Sequence, residues 1–211
     1  CSNTTGSDNT AMGMCSLLAN TTGASNTAVG MCSLKANTTG EKNASVGFKA
    51  LQANTTGACN TALGREALGA NTTGIKNTAV GMNALKPVTT GNGNTGVGHD
   101  AGQLMTTGTC NVLLGRAAGA TITTGSKNIA IGFETIAYNS STGSDNTAVG
   151  HGALARNSTG SVNVAVGKLA LTALTTAANN VSVGESSGLA NTTGAGNTNI
   201  GKTAGAVSTT G

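Results

Sequence analysis

The chain has 211 residues and a net charge of +4, and it contains 33 glycines, one proline, two phenylalanines, one tyrosine and no tryptophan. With so few aromatic side chains it cannot build the core of an ordinary globular domain, in which such residues bury large apolar areas. The eleven basic residues stand singly, which argues against nucleic-acid binding. No apolar run approaches the roughly 18 residues that a membrane-spanning helix needs.

A 17-residue unit repeats along the chain, so we expect one domain over residues 1–211. Its consensus is N-T-A-V-G-x-x-A-L-x-A-N-T-T-G-x-x, and we number its positions 1 to 17 from the first Asn. One step between units, from Asn128 to Asn146, has 18 residues. Position 1 is Asn in all twelve units, namely Asn9, Asn26, Asn43, Asn60, Asn77, Asn94, Asn111, Asn128, Asn146, Asn163, Asn180 and Asn197.

Position 4 of the unit is always apolar, and position 2 is mostly Thr but also accepts Val and Ile. Because alternate side chains of a strand point to opposite faces, we expect positions 2 and 4 to share the inner face. The predicted core column at position 4 consists of Val29, Val46, Leu63, Val80, Val97, Leu114, Ile131, Val149, Val166, Val183 and Ile200.

A 17-residue repeat is too short for a pair of helices, since helical repeats have about 33 residues or more. Glycine at positions 5 and 15 marks turns, and Thr and Val favour strand. We therefore predict an all-β fold, a parallel β-solenoid of about twelve coils that stack at about 4.8 Å into a rod of roughly 57 Å. The position-1 asparagines are expected to hydrogen-bond from coil to coil, as amide ladders do in cross-β stacks.

Position 9 is Leu or Ile in eight units and Gly in the other four. In those four units we expect bulky side chains one to three positions later to fill the interior, because an unfilled cavity is costly. These side chains are Leu104, Met105, Ile122, Leu189 and Val207.

Units of the form N-T-A-[VIL]-G-x-x-A-L-x-x-N-T-T-G resemble the repeats of bacterial and phage fibre and adhesin proteins. They are also similar to the shorter S-V-A-I-G repeats of trimeric autotransporter adhesin heads. The resemblance covers all twelve units. It implies a β-roll, often left-handed and often trimeric, that serves as an extracellular shaft or head.

The sequence does not suggest an enzyme. His99 and His151 both occupy position 6, three coils apart, which separates them by roughly 14 Å, too far to share a metal ion. The acidic residues occur singly, so no pair is placed for general acid–base catalysis. We therefore expect no catalytic residue, no cofactor and no metal site.

Two cysteines occupy position 7 of neighbouring coils. At the coil spacing, the Cα atoms of Cys15 and Cys32 would lie about 5 Å apart, within the range of a disulfide. Two small, half-buried side chains are an equal alternative, and the sequence does not decide between them.

Stacked coils suggest a structural protein, the protomer or shaft of an extracellular filament that assembles end to end, with the protein itself as partner. Neither end carries a helix, a charged segment or a proline-rich stop that would cap a solenoid, and this supports the expectation. Because the chain lacks an initiator Met, we expect a processed product or part of a longer polypeptide.

Two alternative functions rest on other positions. Positions 6, 7, 16 and 17 vary from coil to coil, as a solvent-facing strip does, and they favour an adhesin or tail-fibre module that binds a glycan at a cell or virion surface. Thr at positions 13 and 14 raises the possibility of ice binding. Neighbouring strand residues point to opposite faces, however, so these two columns would not form one flat Thr array.

Overall fold

The computed structural model describes residues 2–210, which form a parallel β-solenoid of about 11 turns. Each coil contributes one three-residue strand at positions 2–4, and the strands stack in chain order into one parallel sheet. No helix occurs within residues 2–210, so the predicted all-β solenoid is confirmed. The strands are β1 (Thr10–Met12), β2 (Thr27–Val29), β3 (Ala44–Val46), β4 (Thr61–Leu63), β5 (Thr78–Val80), β6 (Thr95–Val97), β7 (Val112–Leu114), β8 (Ile129–Ile131), β9 (Thr147–Val149), β10 (Val164–Val166), β11 (Val181–Val183) and β12 (Thr198–Ile200).

Equivalent residues of successive coils lie above one another throughout the sheet. Val29 of β2 pairs with Val46 of β3, which pairs in turn with Leu63 of β4. The same register continues across the 18-residue step, where Ile131 of β8 pairs with Val149 of β9. The repeat in the sequence therefore becomes a set of vertical files of equivalent side chains.

Backbone hydrogen bonds between coils are not confined to the strands. At position 13, the amide of Thr38 donates to the carbonyl oxygen of Thr55 in the next coil at 2.9 Å. At position 17, the amide of Lys42 donates in the opposite direction, to Ala24 in the preceding coil, at 3.0 Å. These bonds satisfy backbone groups that strands of only three residues would otherwise leave unpaired.

Each coil turns through backbone of positive φ at positions 5, 7, 9 and 17. In the fourth coil, Glu66, Leu68 and Lys76 have φ of 56°, 50° and 59°, close to the left-handed α region near about +57°. The position-5 glycine lies farther out, with φ of 138° at Gly64, where side chains are disfavoured. Position 5 is therefore always glycine, whereas the other three positions accept larger residues at the cost of local strain.

The interior of the solenoid is narrow and is built mainly from positions 3, 8 and 9. Ala28 at position 3, Leu34 at position 9 and Ala50 at position 8 are completely buried. At position 3 of β6, a Cβ on Gly96 would lie 2.6 Å from Cγ of Leu85. The leucines at position 9 thus occupy most of the width of the coil and leave room for a small side chain from the strand.

Position 4 faces outward, so the predicted core column is wrong. Val46, Leu63 and Val97 are 38%, 49% and 37% exposed. The alternation of strand side chains was predicted correctly, but its phase differs by one residue, and such a shift exchanges the two faces of a strand. The other position-4 residues are also partly or largely exposed, namely Val29, Val80, Leu114, Ile131, Val149, Val166, Val183 and Ile200.

Where position 9 is glycine, a side chain from position 3 supplies part of the missing volume. A Cβ added to Gly102 would lie 3.0 Å from Cδ1 of Leu113, and a Cβ added to Gly119 would lie 2.5 Å from its Cδ2. Leu113 is fully buried and so fills the space beside both glycines.

The predicted filling residues divide into two groups. Met105 and Ile122 are fully buried, as predicted. Leu104 and Val207 are instead 46% and 92% exposed, and Leu189 is partly exposed. Met105 and Ile122 stand at position 12, where other units have an inward-pointing Asn, and therefore reach the interior. Leu104, Leu189 and Val207 stand at position 10 or 11 and do not.

The extra residue of the 18-residue step is accommodated by a local bulge. The amides of Ala137 and Tyr138 both donate to the carbonyl oxygen of Ala155, at 3.1 and 2.8 Å. The chain rejoins the stack at Ser141, which bridges to Ile122 of the preceding coil. The extra residue therefore lies in the segment between β8 and β9, and these two strands keep their register.

Candidate binding surfaces

Each position-1 asparagine from Asn26 to Asn180 links its coil to the coils on both sides. Nδ2 of Asn94 donates to Oδ1 of Asn77 at 3.1 Å and to the carbonyl oxygen of Gly108 at 2.8 Å. Oδ1 of Asn94 accepts from the amide and from Nδ2 of Asn111, at 3.0 and 3.1 Å. Because these groups are buried and hydrogen-bonded, this ladder has a structural role and offers nothing to a ligand.

A second ladder of asparagines runs along position 12. Nδ2 of Asn54 donates to Oδ1 of Asn37 at 2.8 Å and to the carbonyl oxygen of Gly57 at 2.9 Å. The same carbonyl oxygen also accepts from Nδ2 of Asn43 in the first ladder, at 2.9 Å. The position-15 carbonyl therefore joins the two ladders.

The second ladder stops wherever an apolar residue replaces asparagine. Val88 follows Asn71 in this column, and Leu174 follows Asn157. Oδ1 of each of these two asparagines is buried without a hydrogen-bond partner, which is unfavourable. Val88 and Leu174 are themselves fully buried, so apolar burial offsets part of that cost.

The threonines of positions 13 and 14 differ in their surroundings. Oγ1 of Thr38 donates to the carbonyl oxygen of Thr55 in the next coil at 3.1 Å, and Thr55 does the same to Thr72. The position-14 neighbours Thr39 and Thr56 are exposed. Each of these coils thus presents one threonine outward and uses the other to bind the next coil.

Long side chains at position 6 form a ridge along the rod. The guanidinium group of Arg116 lies 5.0 Å from the ring centroid of Phe133. The Phe133 ring stacks on His151 in the next coil, with centroids 5.4 Å apart. A cation and two rings therefore follow one another on the outer surface.

Opposite charges alternate at the far end of the same ridge. Oε1 and Oε2 of Glu185 lie 3.6 and 3.2 Å from Nζ of Lys168 and Lys202. The hydrogen bond from Lys202, with the attraction of both ammonium groups, lowers the pKa of the Glu185 carboxyl group. These side chains are well exposed, so the ion pairs contribute little to stability.

Two adjoining cavities of about 390 and 370 Å³ open on coils 3 to 6, and we call them together the polar groove. Both are lined by Ala70 and Lys86. The small residues Gly69 and Ala70 stand at positions 10 and 11 of the fourth coil, where neighbouring coils carry longer side chains at position 10. The groove is also lined by Lys49, Gln52, Asn83, Asp100, Gln103 and Leu104.

The polar groups of the groove form a mixed set of donors and acceptors. Nζ of Lys86 pairs with Glu66, and this hydrogen bond lowers the pKa of the Glu66 carboxyl group. Nδ2 of Asn83 donates to Oδ1 of Asp100 at 3.1 Å. Amides, carboxylates and the ammonium groups of Lys49 and Lys86 line the groove together with apolar side chains such as Leu104. Such a set of hydrogen-bond donors and acceptors suits a ligand rich in hydroxyl groups.

Cys15 and Cys32 are free, partly exposed thiols in this structure. Both residues have positive φ, of 60° and 59°, and the amide of Cys32 donates to Met14 of the preceding coil at 2.9 Å. A disulfide between them stays one of the two equal alternatives that the sequence offers.

Within residues 2–210, no three His, Cys, Asp or Glu side chains are grouped closely enough to hold a metal ion. The histidines have other contacts, since Nδ1 of His99 lies 3.0 Å from Oδ2 of Asp100. The same part of the chain contains no helix of the length and apolarity needed to cross a membrane.

Neither the protein-family models nor the curated protein sequences compared with this chain give a match. The functional argument therefore rests on the geometry of the solenoid itself.

Proposed function

We propose that this chain is a structural protein, a rigid β-solenoid shaft of an extracellular filament whose protomers join end to end. The supporting observation is the single unbroken register of twelve strands, held together by the position-1 asparagine ladder. Because successive coils meet through the same contacts at each level of the rod, a coil of another protomer can be received in the same way.

Assembly through strand edges can be tested at Thr198. In the equivalent contact one coil earlier, the amide of Val181 donates to the carbonyl oxygen of Asn197 at 2.8 Å. We expect Thr198→Pro to remove the matching donor of β12 and to shorten filaments seen by negative-stain microscopy, because proline has no amide hydrogen.

Thr198→Val is the matched control, since it keeps the amide and introduces the residue found at the same position of β11. It should assemble like the unmodified chain. Discrete short rods from the unmodified chain at micromolar concentration, or equal filament lengths for the two variants, would refute end-to-end assembly.

A second candidate function is supported by the polar groove. Its mixed donors and acceptors favour a module that binds a cell-surface glycan, as an adhesin or tail-fibre head does. On a glycan array, we expect Lys86→Ala to lose most of the retention shown by the unmodified chain. Lys127→Ala removes an exposed lysine outside the groove and should leave retention unchanged; equal loss in both variants would indicate only nonspecific charge attraction.

A further inference from the structure

The outer face of the sheet has the opposite pattern from that of a solvated sheet. An antiparallel sheet with one solvated face turns apolar side chains inward and polar ones outward, and an all-parallel sheet is ordinarily covered on both faces. Here the inner position 3 is mostly Ala, and the outward position 4 is Val, Leu, Ile or Met in every strand. The larger apolar side chains thus lie on the side that nothing in this single chain covers.

No charged residue occurs on this face. All eleven basic and seven acidic residues lie outside positions 2 and 4 of the strands. In β7, β8, β10 and β11 both outward positions are Val, Leu or Ile, and in the intervening β9 they are Thr147 and Val149. Depletion of charge around an apolar centre is typical of protein interfaces.

The apolar face is accessible to a partner. Ile129 of β8 is 38% exposed and Val97 of β6 is 37% exposed. A contiguous apolar surface of this kind on a protein in water marks an interaction site. The twelve strands keep one common register, so the outward side chains form two columns along the rod, and a suitable partner presents columns with the same spacing.

We propose that a second copy of this chain covers the outer sheet face, sheet against sheet. Stacked sheets pack face to face at about 10 Å, and two copies of one solenoid have the same coil spacing and twist, so their side-chain rows can interdigitate along the rod. An isologous pair also buries the same residues on both copies, which leaves the charged positions at the rim.

The size of the face agrees with this partner. Twelve strands at about 4.8 Å spacing give a length of roughly 53 Å, and two outward columns give a width of roughly 10 Å. The footprint is therefore roughly 500 Å² per copy, so a face-to-face pair would bury roughly 1,000 Å² in total, which is the lower bound for a specific interface.

This lateral contact is independent of end-to-end assembly and is best tested in the Thr198→Pro background, in which growth through β12 is weakened. Sedimentation at micromolar concentration should then give particles of at least two chains. We expect Ile129→Lys with Val166→Lys to weaken their association about 100-fold or more, because like charges would meet within an apolar interface.

Val162→Lys is the matched control. Val162 is 54% exposed but lies at position 17, where lysine occurs in three other coils, so association should not change. If the lysine pair impairs folding, as circular dichroism would reveal, Ile129→Thr with Val166→Thr should still weaken association about tenfold, since it removes apolar contact area.

Three outcomes would overturn the proposal. They are a single-chain particle over the whole concentration range, association that persists in the outer-face variants, and equal weakening by Val162→Lys.

Discussion

Asn94→Asp is expected to destabilise the rod by about 4 kcal/mol at neutral pH. Asn94 is completely buried, and its Nδ2 donates to Oδ1 of Asn77 and to the carbonyl oxygen of Gly108. A carboxylate has nearly the same shape but no donor, so it would place a buried charge against two acceptor oxygens. Chemical denaturation followed by circular dichroism measures the loss.

The effect should depend on pH in a defined direction. Burial beside two acceptors raises the pKa of the introduced carboxyl group above its value in the unfolded chain. The folded chain therefore favours the protonated carboxyl group. The loss of folding stability grows as pH rises from the pKa of this carboxyl group in the unfolded chain to its pKa in the folded chain. Acidification below about pH 4 should thus recover much of the loss relative to the unmodified chain at the same pH.

Asn92→Asp is the matched control for this experiment. Asn92 is exposed, and it uses Oδ1 to accept from the amide of Ile75 at 2.8 Å. Aspartate keeps that acceptor, so stability should change by less than about 0.5 kcal/mol. Similar losses at residues 92 and 94 would contradict the role assigned to the buried ladder.

Gly64→Ala should be at least as damaging as a large core deletion, with a loss of about 3 kcal/mol or more. Gly64 has φ of 138°, and a Cβ there would lie 2.5 Å from the carbonyl oxygen of Gly81 in the next coil. Backbone cannot move aside without separating the coils. Thermal unfolding followed by circular dichroism measures the shift.

Gly69→Ala, in the same coil, separates this clash from a general sensitivity to added methyl groups. A Cβ on Gly69 would approach the carbonyl oxygen of Glu66 at 3.1 Å and otherwise meet atoms only at 3.7 Å. Other coils carry Lys or Gln at this position. We expect a small change of either sign, and a loss equal to that of Gly64→Ala would refute the steric explanation.

The period of the sequence was sufficient to predict the solenoid and its register. Asn in every unit at position 1 and Gly at position 5 have one feature in common: each makes its contact with the equivalent residue or backbone of the next coil. Because such a contact recurs in every coil, it requires the same residue at that position of every unit, and this identity can be seen in the sequence.

The phase of the strand could not be obtained in the same way. A three-residue strand of the type Thr-Ala-Val offers one small residue to one face and two β-branched residues to the other, and hydrophobicity alone favours the wrong choice. What decides is the width already taken by Leu34 and its equivalents at position 9, which are buried and have positive φ. Nothing in the local sequence indicates that geometry for a leucine.

The polar groove was not predicted from the sequence either, because it forms where side chains are small. Gly69 and Ala70 follow one another where neighbouring coils have longer side chains, and the depression appears only when Lys86 and Gln103 are stacked beside them. Variation at position 6 agrees with the exposure of most of its side chains, whereas position 7 is mostly half-buried. No feature of the repeat indicated that positions 10 and 11 would form a cavity.

Strands in this rod contact only the strands directly before and after them. Stability is therefore a property of neighbouring pairs, and no distant part of the molecule depends on any one coil. Duplication or loss of a whole 17-residue unit changes the length of the rod while leaving each surviving junction intact. Evolution, or a protein engineer, can thus adjust the reach of such a protein in increments of one coil without redesigning its interior.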